Sequence, residues 1–554
     1  MSDRCERSPE VERKLSRRGF IRGAALGGLA AATAPARLMA ATGARVPAPG
    51  SAPFELEEMT IAEMARWLDA GRFSATYLVR RYIERIESLD RAGPATNNVL
   101  AINPDALEIA KRLDAERSGG RRRGPLHGIP VIIKDNIDTA DGMMTTAGSL
   151  ALLGARPARD AFVVERLRAA GAIILGKANL SEWANFRSTR SSSGWSGRGG
   201  QGKNPYALDR NPCGSSSGSG ASVSANFCAA AIGTETNGSV VCPSSANSVV
   251  GIKPTVGLVS RSGIIPISHS QDTAGPMCRT VADAATLLSA MAGVDERDPA
   301  TPHARGHIEE DYTRFLDPDG LRGVRMGVPR QRYTGYSEET DRIFEDALQA
   351  MRDAGAEIVD PADIPTAGDM NQPSFQVLLY EFKADLNDYL AGLGDAAPVK
   401  SLAELIEFNE AHRDLEMPYF RQELFERAQE KGPLSEPEYI DALEKARRLS
   451  GPDGIDKVME ENQLHALVAP TGSPAWPIDL VNGDHFLGGS SSPAAISGYP
   501  NICVPAGYSF GLPVGISFFG RAWSEPTLIR IAYAFEQATQ VRRPPRFLPT
   551  AELT

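Results

Sequence analysis

A chain of 554 residues, 42% hydrophobic and 23% charged, has the make-up of a soluble globular protein with a large core. Its net charge of −10 and pI near 5.4 argue against nucleic acid or an anionic membrane as a partner, because both are bound through a basic face. Length alone would allow several domains, but large α/β enzymes often reach this size as one unit.

The N-terminal segment Ser16-Arg17-Arg18-Gly19-Phe20-Ile21-Arg22 carries a paired arginine, followed by a weakly apolar stretch from about Gly23 to Pro35 and small residues around Ala40 to Ala44. That layout is the one of a cleavable export signal. The twin arginine resembles the address read by the twin-arginine export machinery, which carries folded cargo. Residues 1–44 are therefore expected to be a twin-arginine signal, and the protein to be periplasmic or secreted. The apolar stretch is shorter than the ~20 residues a span needs, so no permanent membrane anchor is expected.

Residues 45–554 read as a single domain. Thr60-Ile61-Ala62-Glu63 is a capping box that opens a helix closed by Gly71. Ser74 starts a second helix with Leu78, Val79, Tyr82, Ile83, Ile86 and Leu89 on one face, and Asn103-Pro104 starts a third that ends at Gly119-Gly120. Arg121-Arg122-Arg123 reads as a solvated loop. Gly128 to Lys134 is a β-branched run bounded by proline, the profile of a buried strand with a lysine at its exit. Val163 to Ala170 reads as a helix and Ala172 to Leu175 as another buried strand, and the Ser/Gly-rich stretch from about Ser188 to Gly220 as an ordered loop. Residues 300–460 are charged, helix-patterned and poor in strand signals, and strands resume at Ala466–Pro470, Ile502–Pro505 and Pro513–Phe519 before a helix capped by Ser524. The expectation is an α/β core (about 55–300 and 460–545) interrupted by a helical insertion (about 300–460).

Three chemical motifs fail on inspection. Gly171 to Ala178 nearly matches a phosphate-binding loop, but Ala178 stands where Ser or Thr must ligate magnesium, and its interior is an apolar strand. Gly214-Ser215-Ser216-Ser217-Gly218 fits a nucleophile elbow in letters, yet Asp209-Arg210-Asn211-Pro212-Cys213 cannot be the strand that elbow requires, and His127 precedes the serine. Cys213 and Cys242 have no nearby histidine to make a thiolate and read as small packing residues. The six cysteines have neither disulfide-scaffold nor zinc spacing, so neither metal nor cofactor is called for.

What is left is a set of Ser, Gly and Lys. Thr234 to Ser239 follows the apolar run Ala229 to Ile232, and a tight Asn237-Gly238 turn would expose successive backbone N–H groups beside the Ser239 hydroxyl. An oxyanion hole needs donors already aimed at developing negative charge. A serine hydroxyl also needs a base. Lys134 can serve if desolvation leaves it neutral, with Ser215 bridging the two, although a strand-end lysine can equally pair with Asp135.

These residues resemble the amidase signature family. The match runs through Gly124 to Asn136, Pro212 to Ser219, Gly233 to Ser239 and Gly251 to Thr255, with Ser215 and Ser239 separated by the family's own 24 positions. The resemblance implies a large mixed β-sheet between helical layers and an amidase, a hydrolase of linear amide C–N bonds. It also implies Ser239 as acyl-ester nucleophile, Ser215 as relay serine on a cis peptide bond, Lys134 as base, and an oxyanion hole from the amides of Thr236, Asn237, Gly238 and Ser239. The chain departs from the family's usual glycine at Cys213, and from its frequent Asp and Gly at Glu235 and Asn237. Gly263 to Pro276, Tyr380 to Lys383 and Ala522 to Pro526 look like the peptide amidases of the family, which implies the C-terminal amide of peptides as substrate. A general aliphatic or aryl acylamide hydrolase, an amidotransferase subunit acting on charged tRNA, and a silent binding protein on the same scaffold are the alternatives. Acidic charge and the export signal oppose the tRNA reading, and retention of Lys134, Ser215 and Ser239 opposes the silent one.

Overall fold

The computed structural model describes residues 54–553, so the export signal expected at 1–44 lies outside the described residues. The described chain is built on thirteen strands: β1 (Val99–Ile102), β2 (Pro130–Lys134), β3 (Ile173–Ala178), β4 (Trp195–Ser196), β5 (Gly200–Gln201), β6 (Ala230–Glu235), β7 (Val250–Lys253), β8 (Thr273–Cys278), β9 (Arg325–Gly327), β10 (Glu357–Val359), β11 (Ala466–Pro470), β12 (Asn501–Ser509) and β13 (Leu512–Phe519). Eleven form one sheet in the order β1-β3-β2-β6-β8-β7-β12-β13-β11-β9-β10, and β4 pairs with β5 in a small hairpin. The sheet is mixed: β3, β2 and β6 run parallel, as do β11, β9 and β10, with antiparallel pairs between. This is the α/β fold with a large mixed sheet and helical layers that the sequence implied.

The central strands explain themselves. β2, β3 and β6 are buried at every residue, which is why they read as continuous apolar runs without alternation. Because β2 and β6 are parallel and in register at Ile133 and Ile232, their C-terminal ends carry Lys134 and Glu235 to the same edge of the sheet. The helix Ser217–Ser224 covers them and is itself wholly buried, which its Ser, Gly and Ala composition permits. A Cβ at Gly218 would lie 2.3 Å from the Asn98 carbonyl oxygen and 2.4 Å from that of Asn179, so only glycine fits this approach.

Local signals held where they were chemically specific. Thr60 and Glu63 form the reciprocal capping box of the helix Ile61–Asp69, and the Ser74 hydroxyl accepts the Tyr77 N–H at 3.0 Å at the start of Ala75–Arg85. Ser524 precedes the last helix, Glu525–Thr539, but its hydroxyl donates back to the Arg521 carbonyl at 2.7 Å instead of accepting from the helix.

The region 300–460, expected as a helical insertion poor in strand signals, also contributes strands to the sheet. β9 and β10 lie within it, joined by the helix Glu338–Asp353, and extend the main sheet beside β11. Three-residue strands are too short to show a period, and only parallel pairing with β11 defines them. Helices do fill the rest, led by the 23-residue Asn371–Leu393. Its Phe382, Leu386 and Leu390 share one buried cluster with Trp183, Phe186 and Phe425. Each such side chain contributes ~1.5–3 kcal/mol of burial, which welds the helices to the core. From Glu55 onward the chain forms one compact unit. Among the described residues no helix is long and apolar enough to cross a membrane.

Candidate active site

Lys134 ends β2 with no exposed surface. Its Nζ lies 2.7 Å from Ser215 Oγ, 2.8 Å from Thr234 Oγ1 and 3.2 Å from the Thr234 carbonyl oxygen, and Asp135 is not among these partners. The alternative of a structural pair with Asp135 falls away for a further reason: that carboxylate is held by Arg198 at 2.9 Å. Burial drives the Lys134 pKa down to about 7, against the opposing pull of the Asp272 and Glu235 charges. A neutral amine has two N–H donors and one lone pair. The Thr234 hydroxyl and carbonyl can take both protons, which leaves the lone pair for the Ser215 hydroxyl. Thr234 is itself fixed, its hydroxyl receiving Asn136 Nδ2 at 3.0 Å and its N–H and C=O both bonded to Ser216 Oγ.

Ser215 is fully buried and follows a cis peptide bond from Gly214, as the resemblance implied. Its carbonyl accepts the Ser181 N–H at 3.1 Å, and the next N–H, of Ser216, donates to the Ser239 carbonyl at 3.1 Å. The loops bearing Ser215 and Ser239 are thus in backbone contact. Ser239 is 8% exposed, and Gly214, Asn237 and Gly238, chain neighbours of the two serines, line a cavity of 380 Å³.

The 236–239 loop is braced by a residue whose part was not foreseen. Glu235 accepts the N–H groups of Gly238 (2.8 Å), Val240 (2.7 Å) and Val241 (3.0 Å), so the Gly238 amide expected to face an oxyanion is committed to this carboxylate. Gly238 has φ +82°, the left-handed conformation in which the turn needs glycine. Thr236 donates its hydroxyl to Asp272, whose carboxylate also takes the N–H groups of Ile267 (2.7 Å) and Ser268 (2.9 Å). The Asn237 side chain accepts from the Ser491 hydroxyl at 2.7 Å.

Cys213 and Cys242, expected as separate packing residues, are joined in a disulfide with Cα atoms 6.1 Å apart. Cys213 sits on the Ser215 loop and Cys242 in the first turn of the helix Val241–Ala246 that follows Ser239, and 29 positions of separation gave the sequence no spacing signal. Closing a loop of that size stabilises by ~3–4 kcal/mol in the chain-entropy account. Cys228, Cys278 and Cys503 are buried free thiols.

The far wall of the cavity was also missed. Trp476, Asp484 and Phe486 line it, with Phe486 edge-on to Trp476 at 5.6 Å and Asp484 accepting from the Ser193 N–H (2.9 Å) and Asn211 Nδ2 (3.0 Å). They come from a loop more than 230 positions beyond Ser239, with no motif of their own. His127, the only histidine before the serines, is buried with its ring 2.9 Å from the Leu113 carbonyl oxygen. Among the described residues one group has metal-ligand proximity: His269, Glu381 and Asp385. Its atoms are otherwise employed, since Glu381 accepts from Ser270 Oγ (2.9 Å) and Tyr439 Oη (2.7 Å) and His269 Nδ1 lies 2.9 Å from Asp385. Burial pulls the His269 pKa down, but the bond to Asp385 and the Glu381 charge outweigh it and hold it above the ordinary value.

The profile of the Amidase family matches residues 77–529. The chain belongs to the Amidase family. A probable amidase of Arabidopsis thaliana is 46% identical over 507 residues, covering 90% of this chain and 93% of that protein. The crystal structure of native peptide amidase from Stenotrophomonas maltophilia superposes with a TM-score of 0.86 at 53% identity, covering 89% of this chain and all of that one. An amidase family protein from Bacillus anthracis follows at TM-score 0.81 and 38% identity, covering 89% and 93%. This chain is therefore an amidase, a hydrolase of the carboxamide bond.

Proposed function

We propose that this amidase hydrolyses the C-terminal amide of peptides through a Ser-Ser-Lys triad of Ser239, Ser215 and Lys134. The observation that carries the mechanism is the fully buried Lys134 amine, 2.7 Å from Ser215 Oγ with no carboxylate at hydrogen-bond distance. Neutral Lys134 takes the Ser215 proton while Ser215 takes that of Ser239, and the Ser239 oxygen attacks the amide carbon. The oxyanion is held by the backbone N–H groups of Thr236, Asn237 and Ser239, with the Glu235-bound Gly238 amide fixing the turn that presents them. The proton returns by the same path to the leaving nitrogen, ammonia departs, and water hydrolyses the ester.

The choice of a peptide amide is supported by the 53% identity to the Stenotrophomonas maltophilia peptide amidase. A panel of peptide amides, aryl acylamides and short aliphatic amides, followed by ammonia or amine release, tests it. Turnover of anilides with peptide amides untouched would favour the general acylamide hydrolase instead. The proposed location is periplasmic or secreted, after delivery by the twin-arginine machinery. The Cys213–Cys242 disulfide supports it, because such bonds persist in oxidising compartments. Fractionation of the native host, with the activity in the cytoplasm, would refute it.

A further inference from the structure

We propose that the Cys213–Cys242 disulfide is a positioning element of the proton relay, holding Ser215 in register with Ser239. The inference rests on the catalytic reading of the two serines above. One half-cystine lies two positions before Ser215 and the other three positions after Ser239, so the bridge ties the Ser215 loop to the first turn of the helix Val241–Ala246 that follows Ser239. Both half-cystines line the cavity, and they pack with Ala246, Ala475 and Trp476 in one small apolar cluster.

The backbone shows what the bridge restrains. Cys213 has φ +57°, a left-handed conformation that a residue with a Cβ adopts only when its surroundings enforce it. Hydrogen bonds secure the chain on either side. The Cys213 N–H donates to Asn211 Oδ1 at 2.8 Å, Asn247 Nδ2 donates to the Pro212 carbonyl at 2.8 Å, and the Ser215 carbonyl accepts from Ser181. The Cys213–Gly214 link between these anchors is held through the Cys213 side chain. Relaxation of Cys213 to negative φ would swing Gly214 and carry Ser215 Oγ away from Lys134 Nζ, 2.7 Å distant. Bulk folding would survive, but proton transfer, which depends on hydrogen-bond reach, would not.

Among the described residues this is the bond that chemical reduction can address, because Cys228, Cys278 and Cys503 are already thiols and are buried. A water-soluble trialkylphosphine cleaves the S–S bond. Both sulfurs become thiols, phosphorus is oxidised to the phosphine oxide, and water supplies its oxygen and the two protons. The test compares a primary amide and a p-nitrophenyl ester of the same N-acetyl amino acid on the folded full chain. The amide needs a proton delivered to its leaving nitrogen, whereas p-nitrophenolate leaves without one. Reduction is expected to lower the amide-to-ester ratio of kcat by about tenfold, with recovery on reoxidation by oxidised glutathione and the same loss in a Cys213→Ser, Cys242→Ser double variant. Equal falls of both substrates, or an unchanged amide rate, would show that the bridge only stabilises the fold and would overturn the proposal. Ser215→Ala with the disulfide intact separates the two ideas. If it leaves the ratio unchanged, the relay reading fails and takes this inference with it. If it lowers the ratio while reduction does not, only the role of the disulfide is lost.

Discussion

Two neighbouring strands of the sheet carry a fully buried lysine at or next to their C-terminal ends, and the two lysines meet different partners. Lys134 closes β2 and Lys177 lies near the end of β3, paired in register with Ile133. Burial pushes both ammonium groups down from their ordinary pKa. Lys177 is enclosed by the Thr145 hydroxyl at 3.0 Å and the Ile137 carbonyl, with Asp135, Asp138 and Asp141 pulling its pKa back up. Among the described residues no serine hydroxyl is one of its hydrogen-bond partners. Lys134 instead meets Ser215, and Ser215 is tied by its neighbour's amide to the loop of Ser239 beside a cavity. Burial favours a neutral lysine, and in the proposed mechanism the neighbouring Ser215 hydroxyl is what would let Lys134 act as a base.

The largest effect is expected at the far end of the proposed relay. Ser239→Ala should abolish the acyl-enzyme seen by mass spectrometry after an ester quench and lower kcat by roughly 10⁴-fold or more. An intact acyl adduct in that variant would move the nucleophile elsewhere. Lys134→Met should cost nearly as much in kcat, about 10³–10⁴-fold, whereas Lys177→Met should lower thermal stability and leave the amide-to-ester ratio of the folded enzyme unchanged. If the two methionine variants lose the same activity per folded molecule, the distinction between the strand ends is wrong.

Glu235→Ala leaves three buried N–H groups without their acceptor and frees the turn that carries the proposed oxyanion donors. The expected result is a fall in kcat of about 10²-fold with a small change in KM, read from steady-state kinetics. The pH profile sharpens the contrast further. In the proposed mechanism Lys134 acts as a neutral base, and burial lowers its pKa to about 7, so kcat/KM should fall about tenfold per pH unit below 7 and level off above it. The linkage has the matching sign: between about 7 and the ordinary 10.5 the unfolded chain holds a proton that folded Lys134 has lost, so stability through this group rises with pH across that window. A flat profile from pH 5 to 8 would remove Lys134 as the base. The smallest effect belongs to a site remote in role: Thr60→Ala removes the capping box of Ile61–Asp69 and should cost ~1 kcal/mol in denaturant unfolding with kcat unchanged.

Much of this was legible in the chain because the decisive features were local. The capping box needs four residues, a strand buried on both faces needs only a short apolar run, and the runs around Lys134, Ser215 and Ser239 carry long, specific patterns. Features that join distant segments were not legible. β9 and β10 are strands only because β11 lies beside them, and the disulfide depends on two segments meeting at 6.1 Å. Glu235 looked like a conservative departure within a motif, and only the folded turn revealed three amides converging on it. Trp476 and Phe486 lacked any sequence signal, since a cavity wall is defined by what faces it across space.

By itself, then, the sequence pointed to the kind of fold through its resemblance to a family, marked several of the buried strands, and singled out candidate residues for amide chemistry, because periodicity and motif spacing are properties of contiguous chain. Tertiary structure decided which of several buried lysines meets a serine, which loop amide is already taken by Glu235, and that Cys213 and Cys242 are one bridge. Those outcomes turn on distances of about 3 Å between segments far apart in the chain, and only packing sets such distances.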